Sequence, residues 1–422
     1  MTTMDPATSN APEMTFTVLG VLDAALHSSN VAGAVPHIAH DVVRKHTAIN
    51  GLYIGLEDYM PLILGPRRVP PIACPAANTE TSIAILTSVG FGQLTGTHYI
   101  EAARALKPDI VIGLADLIIG RPPGVKRRSK MVDRTHAYTQ DTLERLYGDS
   151  LAESEKASAL FFAPILPLDN TQQSLYLEDL EGEFRHRLFG LALYESASLS
   201  LVPEGLGSLP RLLLSEPSSP QDLLREISLG ADLLAAPFVD AASDSGIALD
   251  FSFPAPSSAQ HNAAQPLHLG FDLWSSVHTI DTSPLREGCA CYACKHHHRA
   301  YFHHLLSAKE MSAWALLQIH NHHIIDLFFA GVRDSIQRGS FEEDVEIFNR
   351  AYASKIPDRT GQGPRLRGYQ LPASAAHQPP RNPKAYGRLD DVVQKLAESE
   401  SSVATPDTDS EGLEKHGFAE KA

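Results

Sequence analysis

The sequence predicts an α/β fold of repeated strand–helix units with a small metal-binding subdomain attached to it. Two observations carry this reading. Short β-rich runs alternate with amphipathic helical patterns over roughly 250 residues. In addition, three of the four cysteines in the 422-residue chain fall within six positions, as Cys289-Ala-Cys291-Tyr-Ala-Cys294.

The strand-like runs lie at 82–86, 109–114, 159–163, 190–193, 211–214, 231–234 and 247–251, and most consist of Ile, Val, Leu, Phe and Ala. Between several of them, residues 98–106, 132–147, 177–188 and 220–229 place apolar side chains at helical spacing. Strands alternating with helices imply parallel pairing, because a parallel neighbour needs a long crossover. This many repeats suits a (β/α)8 barrel of the TIM type. A doubly wound parallel sheet has the same periodicity, so the pattern alone leaves both open.

Around this body the composition changes. Residues 1–13, rich in Thr, Pro, Ala and Asn, are expected to be disordered, with order beginning at Thr15-Phe-Thr-Val-Leu-Gly-Val-Leu. The barrel is expected over 14–280, broken by a mobile low-complexity loop at 253–268 that carries Pro254, Pro256, Ser257, Ser258 and Gln260. Residues 281–350 form the metal-binding subdomain and its helices, and 356–422 read as a disordered tail.

With 35 basic against 50 acidic residues the formal charge is -15, which excludes a surface broadly coated by nucleic acid. Any RNA contact must be a local patch. One such cluster spans 121–134, where Arg121, Lys126, Arg127, Arg128, Lys130 and Arg134 face only Asp133. It starts in a Pro-Pro-Gly loop and runs into a helix, as suits either phosphate contact or a solvated helix start. No apolar run approaches bilayer-spanning length, and the first basic residue is Arg44, so neither a secretory nor a transit signal is expected. Sparse cysteine fits a reducing, cytoplasmic setting.

The cysteine cluster calls for a metal. Three thiols this close cannot form more than one unstrained disulfide, whereas thiolates on one tight turn suit zinc, which takes four N or S ligands in a tetrahedron. The fourth ligand must come from elsewhere, and eight histidines lie between 296 and 323. Helical spacing selects one. Ser307-x-x-Glu310 reads as a capping box that restarts a helix, on which Ala313, Leu317, His320, Ile324, Phe328, Val332 and Ile336 share one apolar face. His320 points inward with them, while His296 to His298, His322 and His323 read as solvated or supporting. A lone inward histidine is more often a satisfied core residue, but a three-cysteine turn lacking a ligand reverses that preference. Three cysteines and one histidine leave no open position, so the zinc is structural, one per chain.

The run Cys-x-Cys-x2-Cys-x25-His followed by Asn321, with Arg299-Ala-Tyr-Phe-His-His-Leu-Leu between, resembles the zinc subdomain of the tRNA-guanine transglycosylase family. Arg286-Glu-Gly-Cys-Ala-Cys-Tyr-Ala-Cys-Lys is similar, more narrowly, to the non-catalytic subunits of that family, as is Val125-Lys-Arg-Arg-Ser-Lys-Met-Val-Asp-Arg. The resemblance implies the barrel, with the zinc subdomain near its carboxyl end. It also implies pairing with a catalytic subunit that exchanges guanine for queuine at the tRNA wobble position, with tRNA reached through that complex.

Base exchange needs one carboxylate as nucleophile and a second acid/base group. Where catalytic members carry Asp-Ser-Gly-Gly-Phe-Gln, this chain offers Thr87-Ser-Val-Gly-Phe-Gly. Their Gln-Gly-Gly has no counterpart in Phe162-Ala-Pro-Ile-Leu-Pro, and their Gly-x-Asp-Met-Phe-Asp becomes Gly230-Ala-Asp232-Leu-Leu-Ala235. Asp116 matches a base-contacting aspartate, and Gly190-Leu-Ala-Leu-Tyr-Glu195 half matches a pocket loop in which Phe189 and Tyr194 replace glycines and are expected to obstruct a purine site. No catalytic residue is therefore expected. An active enzyme using shifted carboxylates, Asp232 or Asp240, is the alternative. An exposed apolar face including Ile325 and Phe329 is expected to dock the partner.

Overall fold

The computed structural model describes residues 63–364 apart from 68, 70, 88–89, 121, 257–265 and 362. The expectations for 1–13, for a strand at Thr15, for Arg121, for most of the 253–268 loop and for the tail past 364 fall outside the described residues.

In chain order the strands are β1 (Ile63–Leu64), β2 (Ser82–Thr87), β3 (Gly90–Thr95), β4 (Ile110–Ile112), β5 (Leu160–Ile165), β6 (Gly190–Leu193), β7 (Arg211–Leu213), β8 (Leu233–Leu234), β9 (Ile247–Leu249) and β10 (Gly270–Asp272). Six of them make one parallel sheet in the order β1-β4-β5-β6-β7-β8. The helices α1 (Gly96–Leu106), α2 (Val125–Tyr147), α3 (Ser174–Glu181) and α4 (Pro220–Ser228) return the chain between strands. The predicted 177–188 helix stops early: α3 ends at Gly182, and a 3-10 turn at Arg185–Arg187 follows.

Both faces of this sheet are buried, as parallel sheets require. Side chains alternate along each strand. Val111, Phe161, Leu191, Leu193 and Leu213 join the large core that also takes in residues of α1 to α4. Ile63, Ile110, Ile112, Phe162, Ala192, Leu212 and Leu214 gather in a separate interior cluster. Contributions from five neighbouring strands meet there, so the sheet curls into a half-barrel. The interior is tight: Phe162 pairs with Gly190, where a Cβ would come within 2.3 Å of the Phe162 ring.

Among the described residues the sheet does not close into the eight-stranded barrel expected from the sequence. After β8, α5 (Pro237–Asp244) leads to β9, which pairs antiparallel with β10 rather than with β8. Strands β2 and β3 also stand apart as an antiparallel hairpin. The loop predicted over 253–268 is partly core. Phe253 and Ala255 are buried, and Leu267 bridges to Tyr352.

The subdomain follows as α6 (Tyr292–His296), α7 (Arg299–Ser307), α8 (Met311–Arg338) and α9 (Phe341–Ala351). The 28-residue α8 serves two cores. Ala313, Trp314 and Leu317 pack with Cys291, Leu285 and Phe302, whereas Ile324, Ile325, Phe328, Phe329 and Val332 belong to the main core. Ile325 and Phe329, expected to dock a partner, are therefore core residues. Conversely Ile336, expected inward, is 45% exposed. A helix lying between α5, α9 and β9 buries more than one stripe, which single-face periodicity does not anticipate.

The capping box is also absent. Ser307 Oγ donates to the carbonyl of His303, Lys309 takes a left-handed conformation at φ 56°, and α8 starts after Glu310 with no side-chain cap. At the far end Gly331 lets the chain at Phe253 pass against α8, since a Cβ there would sit 1.8 Å from the Phe253 carbonyl oxygen. Gly331→Ala should therefore destabilise the fold by about 1–3 kcal/mol in urea unfolding, the range for overpacking a filled contact. A loss below about 0.5 kcal/mol would mean that the helix and the Phe253 segment separate freely.

Candidate metal centre and sheet mouth

Cys289, Cys291, Cys294 and His320 converge, with their ligand atoms all within 4.8 Å of one another. No other group of three such residues does so among the described residues. Gly288, at φ 72°, turns the chain into the cysteine run. Cys291 is the N-cap of α6, and its Sγ accepts from the Cys294 amide at 3.3 Å. Arg299 fastens the approach by donating to the carbonyls of Pro284 at 3.0 Å and Leu285 at 3.1 Å while lying over the Phe271 ring.

The distances fit a tetrahedral ion. From His320 Nδ1 the three sulfurs stand at 3.9, 3.6 and 3.3 Å for Cys289, Cys291 and Cys294. Ordinary zinc–sulfur and zinc–nitrogen bonds at a tetrahedral angle give about 3.6 Å between S and N. The opposite ring nitrogen is committed: Nε2–H donates to the Leu249 carbonyl at 3.0 Å, which leaves Nδ1 unprotonated and turned to the sulfurs. Burial drives the imidazole down to about 4, despite that hydrogen bond, so it is a neutral ligand at any ordinary pH. Burial also raises the Cys291 thiol, and pushes that of Cys294 up to about 12. Buried thiols without a cation stay protonated; a bound dication is what would ionise them.

The next residue completes the joint. Asn321 Oδ1 accepts from the Leu249 amide at 2.9 Å, and its Nδ2 donates to the Ile247 carbonyl and to Ser243 Oγ. His320 and Asn321 thus take both backbone groups of Leu249, tying α8 to β9. The other histidines have different work. His298 Nδ1 caps α7 by accepting from the Tyr301 amide, His296 lies against Tyr292, His297 stacks on Tyr301, and His322 pairs with Asp240.

At the carboxyl ends of the parallel strands, where (β/α) proteins build active sites, β1 is followed by Gly65, Pro66 and Arg67, and β8 by Ala235 and Ala236. The one carboxylate beyond β4, Asp116, is fully buried and enclosed. Asn78 donates to it at 2.6 Å, Arg127 at 2.5 Å and Arg134 at 3.2 Å. Arg127 is therefore an internal ion-pair partner. Arg128 donates to the Pro123 carbonyl, whereas Lys126 and Lys130 are exposed. Helix α2 starts with Gly124 as N-cap, no side-chain cap and no acid in its first turn, leaving its positive end open to anions.

A family model described as queuine tRNA-ribosyltransferase matches residues 6–354. The chain belongs to this family. It is 35% identical over 389 residues, 86% of either chain, to the queuine tRNA-ribosyltransferase accessory subunit 2 of Schizosaccharomyces pombe. It is 29% identical over 338 residues to that of Drosophila persimilis, covering 75% of this chain and 76% of the other. To that of Gallus gallus it is 24% identical over 383 residues, covering 81% and 88%.

The geometry revises how the queuine tRNA-ribosyltransferase motifs fall on this chain. Thr87 ends a strand of the separate β2–β3 hairpin, so it does not follow a strand of the parallel sheet; Ser88 and Val89 lie outside the described residues. The position after β1 belongs to Gly65, Pro66 and Arg67, which the sequence comparison missed because β1 is only two residues long. Asp232 precedes β8 and accepts from the Arg211 amide at 2.8 Å, at the end of the sheet opposite Ala235. Asp240 lies on α5, paired with His322. Phe189 precedes β6 and is 47% exposed, so only Tyr194 stands where it can obstruct the mouth.

Two outcomes check the metal centre. His320→Ala should abolish stoichiometric metal binding while His296→Ala leaves it intact, as measured by metal analysis. Because raised thiols must release protons whereas His320 is already neutral above about pH 4, metal affinity should rise with pH between 6 and 8. Chelator competition should give a slope steeper than one decade per unit. A flat profile would show that the thiols are ionised without metal.

Proposed function

We propose that this chain is the non-catalytic subunit of a queuine tRNA-ribosyltransferase, and that it pairs with a catalytic subunit that exchanges guanine for queuine at the tRNA wobble position. The observation that carries the reading is the mouth of the sheet. Base exchange asks for two free carboxylates there. This chain has Arg67 after β1 and Ala235 after β8, its Asp116 is held by two arginines, and the other carboxylates of the mouth, Glu195 and Glu216, follow β6 and β7 instead. The names of its relatives agree, and a closed (β/α)8 barrel is the fold that such a subunit shares with its family.

The ion held by Cys289, Cys291, Cys294 and His320 is one zinc, whose closed coordination supplies folding energy rather than a bound hydroxide. Thiolate ligands need reducing surroundings, which supports a cytoplasmic location. No described helix is long and apolar enough to cross a membrane.

For partner docking, the support moves from Ile325 and Phe329 to the exposed apolar residues of α8, Ile319 and Leu327. For tRNA, the candidates are Lys126, Arg128 and Lys130 at the open positive end of α2, with Arg121 preceding them in the sequence. Arg127 acts there by anchoring the helix.

Incubation of the purified chain with tRNA and labelled guanine should give no incorporation above background. Incorporation lost in Asp232→Asn would favour the active-enzyme reading. Leu327→Asp should abolish co-purification with a catalytic subunit while leaving fold and metal content intact. Reversing Lys126 and Lys130 to Glu should weaken tRNA binding by the complex and reduce the slope of log affinity against log salt by about 1–2. An unchanged slope would make those lysines merely solvated.

A further inference from the structure

At the end of the sheet opposite its mouth, two arginines converge on one turn that neither the metal centre nor the Asp116 cluster involves. Arg185 opens the 3-10 turn before β6, and Arg211 opens β7. Between them in the sequence, Gly207 and Ser208 follow the short 3-10 turn at Glu204–Leu206, and both are exposed. Arg185 Nη2 donates to Ser208 Oγ at 3.1 Å, and Arg211 Nη2 donates to the Gly207 carbonyl at 3.4 Å. The backbone leaves room for the second guanidinium. A Cβ at Gly230, where φ is 95°, would come to 2.5 Å from Arg211 Nη1.

Neither guanidinium meets a carboxylate among the described residues. Elsewhere in this acidic chain Arg127, Arg187, Arg286 and Arg299 each lie against an aspartate. The acids around the turn are held by backbone instead: Glu181 Oε1 accepts from the Gly205 amide at 3.1 Å, and Asp232 Oδ2 from the Arg211 amide at 2.8 Å. Two like charges brought to one turn repel, and each long side chain loses rotamer freedom in being held there. An anion between them would offset both costs. The donors indicate which anion. A carboxylate is served by one guanidinium, two oxygens on two parallel N–H groups. Here two such forks come from separate elements, and Ser208 adds a hydroxyl whose proton the bond from Arg185 leaves free. That set matches a tetrahedral group with three terminal oxygens and two negative charges.

From this unpaired arginine pair closing on an exposed hydroxyl, we infer that the Gly207–Ser208 turn binds the phosphate monoester group of a small phosphorylated ligand. Arg185 and Arg211 each donate to phosphate oxygens, and the Ser208 hydroxyl donates to a further one. The site is independent of base exchange and of subunit pairing.

Inorganic phosphate is a suitable probe, followed by its phosphorus NMR line width with the full-length, metal-loaded chain at fixed ionic strength and about pH 8, where the group is a dianion. The chain carries a formal charge of -15, so bulk electrostatics oppose phosphate and saturable broadening reports a local site. Saturation is expected, with displacement by methyl phosphate and not by acetate. Arg185→Gln and Arg211→Gln should each weaken binding by about tenfold, the loss of one charge-assisted hydrogen bond. Arg350→Gln, on α9 beside Glu346, should change it less than twofold. Ser208→Asp, which places a tethered carboxylate between the two guanidinium groups, should abolish phosphate binding in a chain whose melting temperature is maintained or raised. That variant keeps the test decisive if the glutamine variants fail to fold. Absence of saturable broadening would overturn the inference, as would equal losses in Arg211→Gln and Arg350→Gln. Displacement by dimethyl phosphate as effective as that by methyl phosphate would also overturn it, in favour of a phosphodiester backbone.

Discussion

The hydrogen bonds that join His320 and Asn321 with the backbone of Leu249 are the joint on which the two cores of this chain depend. Leu249 lies in β9, the strand that closes the main core and opens the subdomain, and its N–H and C=O are both taken by adjacent residues of α8. Adjacent helical positions point about 100° apart, so two consecutive side chains can straddle one strand residue only where the helix crosses the strand closely. The crossing sits between the apolar residues that serve each core. One side of the His320 ring is thereby fixed by the backbone, and the other is offered to three sulfurs. An ion bound there would make metal binding, strand pairing and helix placement one cooperative unit, because a shift in any of them breaks the geometry of the others.

Much of this joint was legible in the sequence, and the reason is chemical. Three cysteines on one turn are costly to keep free, so their spacing declares a metal, and the inward face of α8 was readable from Ala313 to Val332 because apolar residues recur at helical steps. What the spacing concealed was the second buried face. Ile325 and Phe329 looked surplus to one core because a one-dimensional pattern cannot tell that a helix is covered from two sides. Ile336 failed for a different reason: it keeps the period, but at that turn the buried position is Ser335, which donates to Asp344 of α9.

The strands were legible as hydrophobic runs, but their pairing was not. The 82–95 region has the composition of barrel strands and yet forms a hairpin, since nothing in a short apolar run distinguishes an antiparallel neighbour from a parallel one. That ambiguity is what drew the catalytic motif onto Thr87. The strand that does enter the sheet, β1, shows only two residues of regular pairing, too few for periodicity to mark. Asp116 was recognised as a residue of the site, but its partners were not, because Asn78, Arg127 and Arg134 are brought to it by the fold and not by proximity in sequence.

Those partners also explain how a chain of net charge -15 can present a basic surface at one point. Arg127 and Arg134 are seven residues apart, so they share a face of α2, and the buried Asp116 carboxylate draws both of them inward. An ionised group held away from water persists only when it is paired, which makes the two guanidinium groups obligatory and fixes the rotation of the helix about its axis. Lys126 and Lys130, four residues apart, lie beside that face by helical spacing, and both stay exposed. The carboxylate therefore does two things at once. It is neutralised as a base-binding group, and it sets which basic side chains of α2 are free to meet a phosphate.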